Sequence, residues 1–173
     1  MTGITVPFVV SWSEEQTFDV RPCRWADGKP AIWQRHAPGS GRPMFEDLHM
    51  VRARRAVAQW LCAVCGEATN VGDRWWFGKG KADLPREDGT CWPFATANSP
   101  LHRRCAELAA EACPHLAGEA ARPAPFPMPS AIVAPTLTKA GGAVAATGFT
   151  LRPGQSVIGP LYLVWRDVPK GGL

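Results

Sequence analysis

No apolar run in this chain approaches the ~20 residues that a membrane-spanning helix requires, and no basic segment followed by an apolar one opens it. The expectation is a cytoplasmic protein without membrane anchor or signal peptide. Charge is sparse as well: 20% of the residues are charged and the net charge is +4. A dedicated nucleic-acid binder of this size usually carries more positive charge, so the balance permits a polyanionic partner without requiring one. A single Tyr stands against eight Trp, and Trp at that density is expected to supply much of a small core. Catalytic signatures are missing too: there is no Gly-x-Ser-x-Gly elbow, P-loop or dinucleotide-binding glycine fingerprint. Only four His occur. His36 sits in a Gly/Pro-rich turn, His49 on a basic helix and His115 just after Pro114, settings more typical of surface residues than of general bases.

Apolar residues make up 46% of the chain, which excludes wholesale disorder, and 17 Gly with 17 Pro predict many turns and few long elements. The pattern divides into four segments. Residues 1–44 read as β-rich, with a hairpin over 25–33 turning at Asp27-Gly28. Residues 45–116 begin with a helix over 46–61. Met50, Ala53, Val57, Trp60 and Leu61 share one face of it, and Arg52, Arg55 and Gln59 the opposite one. A short strand over 74–77, a second strand before Asn98 and a second helix follow. Ser99 is the expected N-cap of that helix, with Pro100 at its first position and Pro114 as its stop. Leu101, Cys105, Leu108, Ala109 and Ala112 are its expected inner face. Residues 117–135 read as a stiff Pro-rich connector. Residues 136–173 read as a C-terminal β-hairpin arm, with strands over 143–151 and 157–168. Neither terminal segment has enough apolar residues for its own core, so a joint β layer is expected. The fold class is α+β.

Six Cys are present, and in a reducing compartment close-spaced cysteines read as metal ligands rather than disulfides. Zinc takes four ligands at tetrahedral angles, thiolates and imidazoles above all. Cys62-Ala63-Val64-Cys65-Gly66 supplies two thiolates from one tight knuckle. His102-Arg103-Arg104-Cys105 supplies two more ligands, because i and i+3 share a helical face. Room for a hairpin lies between them. Cys62, Cys65, His102 and Cys105 are therefore the expected ligands of one structural zinc ion. Cys91, in the hairpin region, is the alternative to His102. Cys23 and Cys113 are expected to be inert, Cys113 packing below the metal.

Knuckle, hairpin and ligand-bearing helix in that order resemble treble-clef zinc domains over residues 61–116. A looser resemblance covers Cys-Ala-Val-Cys-Gly, the Trp-rich strand, Pro100-Leu101-His102-x-x-Cys105-Ala106, Cys113-Pro114-His115-Leu116 and the stretch 44–56. These are similar to small uncharacterised proteins of actinobacteria and their phages, in which the second ligand pair is often Cys-x-x-Cys. That resemblance implies an accessory or phage-borne protein and carries no activity with it.

A complete Cys3His set leaves no open position for catalysis. No His lies between Cys65 and His102, which argues against treble-clef nucleases of the His-Asn-His type. The expected function is a non-enzymatic, zinc-stabilised module that binds a partner protein. The alternative is a nucleic-acid binder, with Arg52, Arg55, Arg103 and Arg104 as candidate phosphate contacts and Trp75, Trp76 or Trp92 stacking on bases. An enzyme of another kind ranks third. The first reading is preferred because Glu46, Asp47, Asp83, Glu87, Asp88, Glu107 and Glu111 interrupt the basic clusters. If Arg52 and Arg55 lie on a solvated face, changing both to Glu leaves folding intact.

Overall fold

A computed structural model of the protein describes residues 6–116, 122–137 and 155–169. In chain order its elements are β1 (Val10–Trp12), β2 (Phe18–Pro22), β3 (Pro30–Gln34), β4 (Pro43–Leu48), helix α1 (Met50–Gln59), β5 (Trp75–Trp76), β6 (Leu84–Pro85), β7 (Cys91–Trp92) and β8 (Phe94–Thr96). Helix α2 (Arg103–Ala112), β9 (Ala124–Pro125), β10 (Ala131–Val133), β11 (Thr136–Leu137), β12 (Val157–Ile158) and β13 (Tyr162–Trp165) follow. The class is α+β. The strand expected over 143–151 lies outside the described residues, and none of the described helices is long and apolar enough to cross a membrane.

Pairing runs between distant parts of the chain. The β2–β3 hairpin turns through Asp27 and Gly28, both at positive φ, and β3 pairs in parallel with β12, followed by β11. The expected joint layer of N- and C-terminal strands is thus present. Strand β13 lies between β10 and β8, and β1 pairs with β4. Two expectations need correction here. The Pro-rich stretch is no mere connector: Ala124 and Pro125 pair with Trp76 and Trp75. For the same reason β5 and β8 do not form a hairpin with each other, since β9 occupies the one and β13 the other.

The main core gathers Val57, Trp76, Phe94, Leu161, Leu163 and Trp165. Trp76 meets Phe94 edge-on and Trp165 at a tilt, with centroids 5.8 and 5.5 Å apart, an arrangement that ring quadrupoles favour. Trp thus supplies core, as its abundance implies.

Helix α1 starts later than its periodicity predicts, because residues 43–48 pair with β1 as a strand. The chain enters the helix at His49, whose Nδ1 accepts the Arg52 N–H at 3.2 Å. Met50, Ala53 and Val57 are buried as expected. Arg52 is not on a solvated face, however, and that expectation is wrong. It is 4% exposed and grips Glu15 with both Nη atoms, at 2.6 and 2.7 Å. Tertiary structure folds the Glu15 segment over the first turn of this short helix and covers Arg52, whereas Arg55 and Gln59 on the same side stay exposed.

The carboxylate of Glu15 also accepts the Ala37 and Trp12 amides. Burial works to raise its pKa, but Arg52 and these amides outweigh it and hold the group at about 2. Beside it His49 is fully buried, its Nε2–H donating to the Arg35 carbonyl at 2.9 Å. Burial, then the Arg52 charge, pushes His49 down to about 4.

Two predictions follow from this network. Arg52→Gln leaves a buried carboxylate without its counter-charge and is expected to cost about 3–5 kcal/mol in urea unfolding, against less than about 0.5 for Arg55→Gln. Equal losses would contradict the buried pair, and the double change to Glu is now expected to unfold the chain. His49 binds a proton more weakly when folded than its ordinary 6.5. Its contribution is therefore complete above pH 6.5 and is lost as pH falls towards 4, a swing on the order of 3 kcal/mol. The depressed Glu15 adds a loss in the same direction from about 4.5 towards 2. Unfolding titrations of wild type and His49→Asn between pH 7 and 4.5 check this: the variant keeps a cap acceptor and should show the shallower slope.

Candidate metal centre

Helix α1 ends where the first ligand begins. Trp60 adopts a left-handed conformation (φ 56°) and its N–H returns to the Ala56 carbonyl, which turns the chain directly into Cys62. The knuckle is closed by Cys62 N–H to Glu67 O at 2.7 Å and Gly66 N–H to Cys62 O at 2.9 Å. Gly66 is required twice over. Its φ is +78°, and a Cβ there would lie 2.8 Å from the ring of Phe8. Phe8 itself is held against the knuckle by its N–H to Val64 O at 2.8 Å.

The second pair of ligands is delivered by reciprocal Trp75–Leu101 backbone bonds of 2.8 and 2.9 Å. Helix α2 then starts at Arg103, with His102 as its N-cap residue rather than the expected Ser99. The helical N–H that His102 leaves open is taken by Asp73, whose Oδ1 accepts from Arg103 at 3.0 Å. Cys105 therefore lies in the first turn, one turn from His102. The inner face is also narrower than its pattern predicts: Ala106 is buried and Leu108 is 48% exposed.

One ligand atom from each of Cys62, Cys65, His102 and Cys105 lies within 4.8 Å of the other three. These four can hold a metal ion. Cys91 is outside the group, exposed on β7, so His102 is the nitrogen donor that the fold brings in. The His102 ring is aimed by its far side: Nε2–H donates to the Ala68 carbonyl at 3.2 Å while Nδ1 faces Cys65 Sγ at 3.4 Å. A hydrogen bond on one ring nitrogen fixes the tautomer and leaves the other lone pair for a metal. Burial works against a charged His102, but the Ala68 and Cys65 contacts outweigh it and raise its pKa.

Cys62 is fully buried and Cys65 exposed, so the cluster is rooted in the interior and opens at one edge. Burial, reinforced by the Cys62 and Cys65 sulfurs, pushes the Cys105 thiol up to about 12. Three thiolates at this spacing need a cation among them. Cys23 is buried in a separate apolar cluster, as expected of an inert thiol. Cys113 caps the far end of α2 and is not part of the ligand group.

The candidate phosphate contacts are dispersed. Arg52 is buried. Arg103 pairs with Glu107 at 3.0 Å and lies over Trp75, and Arg55 donates to Gln59 at 2.9 Å. Arg104 is exposed. Of the candidate stacking rings, Trp76 is buried, Trp75 lies under Arg103 and Trp92 under Arg86.

A second group, Glu15, His36 and His49, also has ligand atoms within 4.8 Å of one another. Both His49 nitrogens are already hydrogen-bonded, His36 Nδ1 is 3.2 Å from Arg52, and the guanidinium occupies the place a dication would take. Chemically it is an ion-pair network. Residue order alone does not reveal it, since Glu15 and Arg52 are 37 positions apart. Comparison of the chain with protein-family models, curated proteins and solved structures finds no match.

Metal analysis of variants tests the ligand set. Cys91→Ser is expected to leave metal content unchanged, whereas Cys105→Ser abolishes it and removes folding free energy on the order of 10 kcal/mol. His102→Ala should retain less metal than wild type. Metal loss in Cys91→Ser with retention in His102→Ala would reverse the assignment.

Proposed function

We propose that this chain is a non-enzymatic interaction module built on one structural zinc ion, which presents its surfaces to a partner protein. The observation carrying this reading is the convergence of three sulfurs and one imidazole nitrogen from a knuckle and a helix start. That donor set matches structural zinc in number and softness. A complete tetrahedral set has no open position for a substrate or an activated water, which favours architecture over catalysis. The order of knuckle, short β6–β7 hairpin and ligand-bearing α2 supports a treble-clef-like unit, even though β5 and β8 pair elsewhere. Six free cysteines fit a reducing, cytoplasmic setting.

A protein partner is favoured over nucleic acid by the state of the basic and aromatic residues. Arg52 is spent on Glu15, Arg103 on Glu107, and the rings of Trp75 and Trp92 are covered by guanidinium groups. No continuous basic stripe remains on α1. Apolar side chains stay exposed on the elements that carry or flank the ligands instead: Val71 at 72%, in the turn that leads to Asp73, and Leu108 on α2. Exposed apolar side chains of this kind are candidate anchors for a protein contact.

The purified chain is expected to carry one zinc, to lose its fold in a chelator, and to give no gel shift with single- or double-stranded DNA or RNA at low salt. A shift that weakens steeply with salt would move the reading to nucleic acid. Leu108→Glu should keep zinc and fold while losing the partner retained by wild type in cross-linked capture from native cells; equal capture would remove Leu108 from the interface.

A further inference from the structure

Helix α1 carries two buried guanidinium groups only two positions apart, and they are treated differently. Arg52 has a carboxylate of its own in Glu15. Arg54 is 3% exposed and has none among the described residues: Nη1 donates to Gly159 O at 2.8 Å, Nη2 to Ile32 O, and Nε is buried without a partner there. Carbonyl dipoles solvate a cation but do not neutralise it, and burial lowers the pKa of this guanidinium from its ordinary value. A buried, uncompensated charge is costly.

Arg54 lines a cleft of about 210 Å³ between the β2–β3 hairpin and α1. Arg21 and Arg24 are also in its wall, together with Trp25 and Trp33, and no carboxylate is among the described residues that line it. Arg21 lies 3.7 Å over the ring of Trp33, and Arg24 lies 4.6 Å over Trp25. A guanidinium placed over an indole is attracted by the ring quadrupole and still has N–H donors with which to grip an anion. Arg21 gives one of these to Asp19 at 3.2 Å. Arg24 has no carboxylate partner among the described residues.

We propose that this cleft is a binding site for a phosphate group, held by Arg21 and Arg24 at the rim above the buried charge of Arg54. Three arginines line the cleft with no carboxylate among the described lining residues, which favours a dianion over a carboxylate, and the planar fork of Arg21 and Arg24 suits phosphate oxygens. The volume lies below the roughly 300–1,000 Å³ of drug-sized pockets. It therefore fits free phosphate or a small phosphomonoester whose body rests on the Trp25 and Trp33 edges. The site lies on other elements than the metal ligands and does not depend on which metal they hold.

The test uses the full metal-loaded chain, titrated at constant ionic strength with inorganic phosphate, phenyl phosphate and benzoate while the assigned indole N–H signals are followed. Saturable shifts at Trp25 and Trp33 with both phosphates are expected. Tighter binding of phenyl phosphate identifies an ester as the natural ligand class, and equal binding identifies free phosphate. Arg24→Gln, an exposed change that leaves the core intact, should weaken binding about tenfold, and Arg104→Gln should not affect it. Arg54→Gln disturbs the fold as well, so Arg24 decides. No saturable shift, unchanged affinity in Arg24→Gln, or benzoate bound as tightly as phenyl phosphate would overturn the proposal.

Discussion

Three sulfurs and an imidazole nitrogen drawn within 4.8 Å of one another cannot all take their ligand form without a cation among them. Mutual repulsion of thiolates opposes the arrangement, and burial of Cys62 adds to it. Much of the backbone around the cluster serves to enforce this proximity. The left-handed Trp60 aims α1 into the knuckle, Phe8 closes over Gly66, and the Trp75–Leu101 bonds and Asp73 hold the start of α2 in place.

Helix α1 is the other centre of the fold, and it works through polar groups. His49 and Gln34 satisfy its first N–H groups, the Gln34 Oε1 accepting from Met50 at 2.9 Å. Arg52 ties in the N-terminal segment through Glu15, and Arg54 joins β3 to the turn before β13. The helix delivers Cys62 from its far end. The N-terminal hairpin, the C-terminal strands and the metal centre thus meet at ten residues, with buried ion pairs and carbonyl contacts setting their relative positions. Such contacts contribute specificity as much as stability, because each donor accepts few geometries.

Some features were legible because the information is local. Cys62, Cys65, His102 and Cys105 stand out by spacing alone, and Asp27-Gly28 by its turn chemistry. What aims the His102 ring was not legible: it depends on the Ala68 carbonyl 34 residues away. Nor was the role of Ala124 and Pro125, since a Pro-rich stretch reads as linker unless a partner strand such as β5 is known. Arg52 is the clearest miss. A helical wheel places an arginine opposite the apolar face and assumes water there, yet the chain had folded a carboxylate onto it.

The amino-acid order by itself determined the α+β class, the four residues that can hold a metal, and the aromatic supply of the core. These follow from residue chemistry and from contacts a few positions apart. Tertiary structure alone decided which strands pair, which cations are buried, and which ring nitrogen meets the sulfurs. Those outcomes depend on where distant backbone carbonyls and carboxylates come to lie, and periodicity carries no record of a partner dozens of residues away.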